Sequence, residues 1–224
     1  IVTAIILDAS GQIIAVTIPS VSLFANPQHV IDATLTLKSL SKAIKNLDTK
    51  KLLKDLSSDK TFVWIKHEVS PFEKQMVNSL GLPGLYFEEQ PKRFYIYGPL
   101  FSHILGFVSR DNRGIAGIEK FLDKDIITTS VGGGKDSSVM LSLDLRAQTI
   151  ANEELDATIA EFNALGGVVI IADVTNGEVI ASVSKPDFNP NDVSKAKADN
   201  LINRASLGVY ELGSIIKGLV LSVG

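Results

Sequence analysis

The sequence contains no cysteine, so disulfides and thiolate chemistry are excluded, and the composition suits either a cytoplasmic or a periplasmic protein. No run of about 18 apolar residues occurs, so no segment of the chain as given is expected to cross a bilayer. The nearest such run, Ile1 to Ile18, is interrupted by Asp8, Ser10, Gly11 and Gln12. The formal net charge of −3 is small and gives no indication of nucleic-acid binding.

Signatures of common ligand sites are missing too. The chain has neither a GxGxxG motif nor a P-loop, so no nucleotide site is predicted. The three histidines, His29, His67 and His103, are isolated, and none has a second ligand at metal spacing. We therefore predict no metal or organic cofactor, and we interpret His103, in an otherwise apolar stretch, as a structural residue.

Strand and helix signals are mixed in the first 124 residues. Ser70, Pro71 and Glu73 form a capping-box signature, and Asp48 is placed to cap another helix. The predicted elements are a hairpin over 1–18, helices over 32–46 and 48–56, a strand over 61–66, a helix ending near Leu80, a strand over 85–97, a short helix or turn over 99–107 and a helix over 116–124.

A composition change follows residues 128–138, where Gly132-Gly133-Gly134 lies among Thr, Ser and Lys and predicts a flexible linker. Beyond it, Asn176-Gly177 is a strong hairpin signal between two apolar runs. The predicted elements are a strand over 139–145, a helix over 146–164 that Gly166-Gly167 stops, strands over 168–173 and 178–184 and a polar loop over 185–199. The helix is expected to bury one stripe, made of Ile150, Leu155, Ile159 and Phe162.

Six lysines lie on the two helices predicted over 32–56. A solvated helix face is the commoner explanation of such a pattern. A membrane-surface role or an acidic partner is the alternative. The lysines are Lys38, Lys42, Lys45, Lys50, Lys51 and Lys54.

The most informative chemistry is at Ser214 and Lys217. Gly213 precedes Ser214, which opens an apolar helical run, and residues three apart share a helix face, so the lysine amine can reach the serine hydroxyl. A serine beside a lysine that accepts its proton is an activated nucleophile. A purely structural N-cap role for Ser214 is the alternative. The tetrapeptide itself has low specificity, because it recurs at Ser39/Lys42, Ser57/Lys60, Ser182/Lys185 and Ser194/Lys197.

Longer segments carry a resemblance that covers nearly the whole chain. Residues 203–205 and 213–217 resemble the active-serine motif of penicillin-binding proteins. Residues 141–148, 173–181 and 186–190 are similar to the start of the transpeptidase domain of that family. Segments of the first half resemble the pedestal, or dimerisation, domain of its class B enzymes, and the last of them is most similar to the division-specific class. These segments are residues 14–15, 81–84, 92–95, 103–108 and 111–119.

The resemblance implies an α+β chain with an elongated, non-catalytic pedestal domain over 1–130, a linker over 131–138 and a truncated α/β transpeptidase domain over 139–224. It implies a peptidoglycan D,D-transpeptidase of septal wall synthesis with Ser214 as nucleophile and Lys217 as base. The implied ligands are stem peptides and, covalently at the serine, β-lactams. The implied partners are a membrane glycosyltransferase and divisome proteins, at the periplasmic face of the inner membrane, with an anchor upstream of Ile1 and no nucleic acid.

Two family motifs, Ser-x-Asn and Lys-Thr-Gly or Lys-Ser-Gly, occur nowhere in the chain. The chain starts at Ile1 and stops at Gly224 within an apolar pattern, so we expect it to be a fragment that is inactive by itself. The alternative functions are a non-catalytic module that docks cell-wall synthesis partners and a β-lactam sensor. A sensor or a serine β-lactamase shares Ser-x-x-Lys but leaves Ile1 to Lys124 unexplained.

Overall fold

The computed structural model describes residues 4–125, 138–211 and 213–223. The chain folds into two compact units. The inserted unit comprises residues 18–92, and the main unit comprises residues 1–17 and 93–224. The predicted linker, 131–138, lies outside the described residues except for Ser138, and the predicted domain boundaries stay a prediction. No helix in the described part of the chain is long and apolar enough to cross a membrane.

The inserted unit packs three helices on one side of a small sheet. The helices are α1 (Ala33–Ala43), α2 (Thr49–Leu56) and α3 (Pro71–Ser79). Strand β3 (Val63–Lys66) pairs antiparallel with the end of strand β2 (Ile13–Ala25), and strand β4 (Leu85–Tyr95) pairs with β2 as well. The shared core is apolar and includes Leu23, Leu40, Ile44, Leu52, Leu56 and Val77.

Side-chain caps set where these helices begin, and the sequence predicts those of α2 and α3. Asp32 and Asp48 accept hydrogen bonds from the amides of Leu35 and Lys51, at 2.9 and 3.1 Å. Ser70 and Glu73 form the predicted capping box at α3, each accepting a bond from the other's backbone amide. Such caps satisfy amides that the first helical turn leaves without partners.

In the main unit, strand β1 (Ile5–Leu7) pairs antiparallel with the start of β2 and parallel with strand β5 (Ser138–Met140). Two helices, α4 (Ser102–Leu105) and α5 (Gly117–Asp125), follow β4. Their apolar residues share a core with β1 and β2 that includes Ile6, Ile14, Tyr95, Phe101, Leu105 and Leu122.

Helix α6 (Leu145–Phe162) packs on the antiparallel hairpin of strands β6 (Gly167–Ala172) and β7 (Val179–Lys185). The strand predicted over 139–145 is shorter than expected, because Asp144 caps α6 through the amide of Ala147 at 2.8 Å. At its other end, α6 stops at Asn163, whose left-handed backbone (φ +49°) ends the helix before the predicted glycine stop. Gly167 instead permits close packing, since a Cβ there would lie 2.7 Å from Leu155 Cδ1.

The predicted apolar stripe of α6 is partly wrong. Leu155 is buried, but Ile150 and Phe162 are exposed, and the buried side chains of the helix are Gln148, Ala151 and Leu155. The buried side chain of Gln148 has a hydrogen-bond partner for each of its polar atoms. Its side-chain nitrogen donates to the carbonyls of Leu100 and Ser182, and its side-chain oxygen accepts from the Ser182 backbone amide. A polar residue with every partner supplied can therefore occupy a core position.

Candidate functional site

Ser214 and Lys217 lie where the chain enters its last described helix. Gly213–Ile215 forms a 3₁₀ turn, with Gly213 at φ +54°, and helix α8 (Ile216–Val223) follows directly. Ser214 thus lies in the turn before the α-helix rather than in its first turn, and Lys217 is the second residue of α8. Ile215, not Ser214, is the residue that immediately precedes α8.

Both side chains are exposed to solvent, and neither forms a hydrogen bond or ion pair with another described residue. A lysine accepts a proton only as the neutral amine, which burial in an apolar environment favours. The described residues place no such environment around Lys217. The chain thus holds a serine and a lysine at the spacing predicted for a nucleophile and its base, and the described residues do not enclose them.

The segment before the turn is tied to the body of the main unit. Helix α7 (Arg204–Leu207) begins at Asn203, whose side chain accepts from the Ala205 amide and donates to the carbonyl of His103 at 3.2 Å. The Arg204 amide donates to Ser184 Oγ of β7 at 2.9 Å. These hydrogen bonds hold Asn203 and Arg204, which precede Ser214 by about ten residues, against α4 and β7.

His103 contributes packing and a hydrogen bond, in agreement with its structural interpretation. Its Nε2 lies 3.1 Å from the carbonyl oxygen of Pro186, and its ring packs edge-on against Phe188 at 5.3 Å between centroids. Burial lowers the pKa of His103, although the Pro186 carbonyl opposes that shift. His103 also borders a cavity.

That cavity of about 380 Å³ lies within the main unit, and its lining is mostly apolar. Neither Ser214 nor Lys217 lines it. It is bordered by His103, Ile104, Gly117, Ile118, Phe121, Leu143, Val179, Ser182 and Asn203.

The inserted unit has a surface of aromatic side chains that was not predicted from the sequence. It lies on the side of the sheet away from the three helices. Phe24 stacks on Phe62 at 4.7 Å and on Tyr86 at 5.5 Å between ring centroids, and Trp64 meets Phe62 edge-on at 4.7 Å. Phe62 is 42% and Tyr86 41% exposed. We call these four residues the aromatic face. Its signal in the sequence is the alternation of Phe62 and Trp64 with the buried Val63.

Comparison with known proteins matches the two halves of the chain to two domains of one family. A penicillin-binding protein dimerisation domain matches residues 4–133, which is more than half of the chain. A penicillin-binding protein transpeptidase domain matches residues 167–224. The chain belongs to the penicillin-binding protein family.

Individual relatives agree with this assignment. The chain is 34% identical over 219 residues to the probable peptidoglycan D,D-transpeptidase FtsI of Caulobacter vibrioides, covering 98% of this chain and 37% of that protein. It is 31% identical to the probable peptidoglycan D,D-transpeptidase PenA of Neisseria meningitidis, covering 96% of this chain and 41% of the relative. The chain therefore spans about two fifths of the length of these relatives.

A solved structure supports the mixed α and β architecture. A peptidoglycan synthetase from Bifidobacterium adolescentis superposes with a TM-score of 0.58 at 21% identity, over 98% of this chain and 48% of that one. The predicted penicillin-binding protein fold, with helices and strands in both halves and only part of a transpeptidase domain, is confirmed. Ser214 and Lys217 both lie inside the transpeptidase match.

Proposed function

We propose that this chain is part of a peptidoglycan D,D-transpeptidase of septal wall synthesis, with Ser214 as its nucleophile and Lys217 as the base. The observation that carries the proposal is the transpeptidase match over residues 167–224, which contains Ser214, Lys217 and the turn that joins them. Relatives named peptidoglycan D,D-transpeptidase support it along nearly the whole chain. The proposed location is the periplasmic face of the bacterial inner membrane.

The proposed reaction has two acyl transfers. Ser214 Oγ attacks the penultimate D-Ala carbonyl of a stem peptide while the neutral Lys217 amine takes the hydroxyl proton. The C–N bond breaks, and the terminal D-Ala leaves as the amine once it has received that proton. An amine of a neighbouring stem then attacks the seryl ester, which forms the crosslink and returns the proton to Ser214. A β-lactam acylates the same oxygen by ring opening.

Labelling with a fluorescent penicillin tests the proposal. The chain of residues 1–224 is expected to remain unlabelled on a denaturing gel, because the exposed Ser214 and Lys217 lack an enclosing site. A longer form of the protein that continues past Gly224 into Ser-x-Asn and Lys-Thr-Gly motifs is expected to be labelled stoichiometrically. An unlabelled long form that is folded contradicts the transpeptidase proposal, and a labelled short chain contradicts its predicted inactivity.

A second proposed function, docking of cell-wall synthesis partners, is favoured by the aromatic face. Aromatic side chains that are large, rigid and exposed together are enriched at the energetic centres of protein interfaces. We propose a membrane glycosyltransferase as the partner that covers this face; divisome proteins are the other class that the resemblance implies.

Alanine variants of the aromatic face test that docking. Trp64→Ala with Phe62→Ala is expected to weaken co-purification of the whole protein with its glycosyltransferase by roughly 30-fold or more, since the loss of even one such central aromatic side chain costs about 2 kcal/mol or more. Phe72→Ala is the matched control, because Phe72 is 70% exposed in the same unit but outside the aromatic face. An equal loss in the control, or no loss in the double variant, contradicts this assignment.

A further inference from the structure

The outer side of helices α1 and α2 is strongly basic, although the whole chain is slightly acidic. Residues 31–54 contain six lysines and two aspartates, with no glutamate or arginine. All six lysines are exposed. The two aspartates, Asp32 and Asp48, are the helix N-caps.

Helix geometry places Lys38, Lys42, Lys50 and Lys54 on the sides of α1 and α2 that face away from the core, and Lys45 follows the end of α1 in the connecting turn. On α1, Leu35, Lys38 and Lys42 are spaced by three and four residues and share one face, while Thr36, Leu40 and Ala43 are buried on the other. On α2, Leu53 and Lys54 lie three and four residues after Lys50, while Leu52 and Leu56 are buried. Because both helices pack on the same core, their exposed sides face away from it.

Little of this charge is balanced within the described residues, where the Asp55 carboxylate interacts electrostatically with Lys51 and Lys54. Among the ion pairs of the described residues, none involves any of the six lysines. Asp55, at the end of α2, is paired with Lys60 at 2.6 Å. A cluster of unpaired ammonium groups attracts a polyanionic surface and repels a cationic one.

Exposed apolar side chains lie among the lysines. Ile31, just before the cap of α1, is 88% exposed, Leu35 is 54% exposed and Leu53 is 37% exposed. A hydrated soluble polyanion offers these side chains nothing apolar to contact. A lipid bilayer offers both an anionic headgroup layer and an acyl boundary into which apolar residues insert.

We propose that this basic face, formed by Ile31, Leu35, Lys38, Lys42, Lys45, Lys50, Leu53 and Lys54, binds the surface of an anionic phospholipid bilayer. The lysines interact with lipid phosphates, and the three apolar side chains enter the headgroup boundary. The inference depends on neither the transpeptidase chemistry nor the aromatic face, which lies on the other side of the sheet.

Vesicle co-sedimentation of the 224-residue chain tests the proposal. Vesicles of equal parts phosphatidylglycerol and phosphatidylcholine at 50 mM salt are expected to bind the chain, and pure phosphatidylcholine vesicles are not. Each lysine near such a surface contributes about fivefold to the partition coefficient, so Lys38→Gln/Lys42→Gln/Lys50→Gln is expected to lower it about 100-fold. The matched control is Lys120→Gln/Lys195→Gln/Lys197→Gln, which removes three exposed lysines of the main unit and gives the same net charge.

The contribution of the exposed apolar side chains to binding distinguishes a bilayer from a soluble polyanion as the ligand. Leu35→Gln is expected to reduce vesicle binding about tenfold, because the leucine side chain is buried only when the chain binds a bilayer. Binding to soluble polyphosphate is expected to stay unchanged. Both leucine and lysine variants alter exposed positions, and circular dichroism confirms that each is folded. The proposal is overturned if anionic vesicles do not bind the chain, if the control triple variant loses as much binding as the test triple variant, or if Leu35→Gln has no effect on vesicles.

Discussion

Ser214→Ala in the long form of the protein is expected to abolish covalent labelling by fluorescent penicillin, a loss of at least about 10⁴-fold in the acylation rate. The reason is that the proposed acyl bond forms at Ser214 Oγ, which alanine lacks. Denaturing gels and mass spectrometry of the labelled peptide measure the loss. The structure gives Ser214 an exposed position in a turn, so the substitution removes an oxygen without opening a cavity.

Lys217 tests whether the serine depends on a proton acceptor. Lys217→Ala is expected to lower the acylation rate by about 10²- to 10⁴-fold, the usual range for a general base. Lys217→Arg is expected to be equally slow, because a guanidinium cannot release its proton at any pH that the protein survives. If arginine restored labelling, Lys217 would act through its charge and not as a base.

The other Ser-x-x-Lys sequences provide the control. Ser194→Ala lies in an exposed 3₁₀ turn with the same spacing to Lys197, and it is expected to leave labelling unchanged. If Ser194→Ala lowered labelling as much as Ser214→Ala, the assignment of the nucleophile to Ser214 would be wrong.

Local structure was the part of the fold most accessible from the sequence. The caps at Asp48 and Ser70 and the hairpin at Asn176-Gly177 depend on residues within about four positions, and each is present in the structure. The end of α6 was mispredicted because two signals competed there. Asn163 adopts the left-handed conformation first, so the later glycines are free to pack against α6 and β7.

Features made by residues far apart in the chain could not be predicted in the same way. The aromatic face joins Phe24 to Tyr86, and the burial of Gln148 depends on carbonyls of Leu100 and Ser182. The alternation of residues along a strand predicts that an aromatic side chain lies on the face away from the core. It does not predict which other strands lie beside it. The spacing of Ser214 and Lys217 could be predicted to bring them together from the sequence. The exposure of their side chains could be seen only in the structure.

A buried ion pair in the main unit is the clearest case of such a long-range feature. Arg93 Nε donates to Glu119 Oε1 at 2.7 Å, and both side chains are fully buried. Arg93 Nη1 also donates to the carbonyl of Ala4 at 2.6 Å and to Thr17 Oγ1 at 3.3 Å. One side chain thereby joins the start of the chain, the end of β4 and helix α5.

Arg93→Met is expected to destabilise the chain by about 3–5 kcal/mol, because it leaves the Glu119 carboxyl group buried without its partner. Glu119→Leu alone is expected to cost a similar amount, since the buried guanidinium then loses the carboxylate that balances its charge. Urea unfolding followed by far-UV circular dichroism measures both. Arg204→Met is the control: its partner Asp199 is 67% exposed, and a surface pair of this kind contributes about 1 kcal/mol or less.

The double variant Arg93→Met/Glu119→Leu distinguishes the loss of a partner from the loss of the pair. Two apolar side chains of similar volume need no desolvation, so the double variant is expected to recover most of the stability that either single variant loses. The coupling between the two substitutions should then be at least about 2 kcal/mol. Additive losses would mean that Arg93 stabilises the unit mainly through Ala4 and Thr17, with Glu119 a secondary partner.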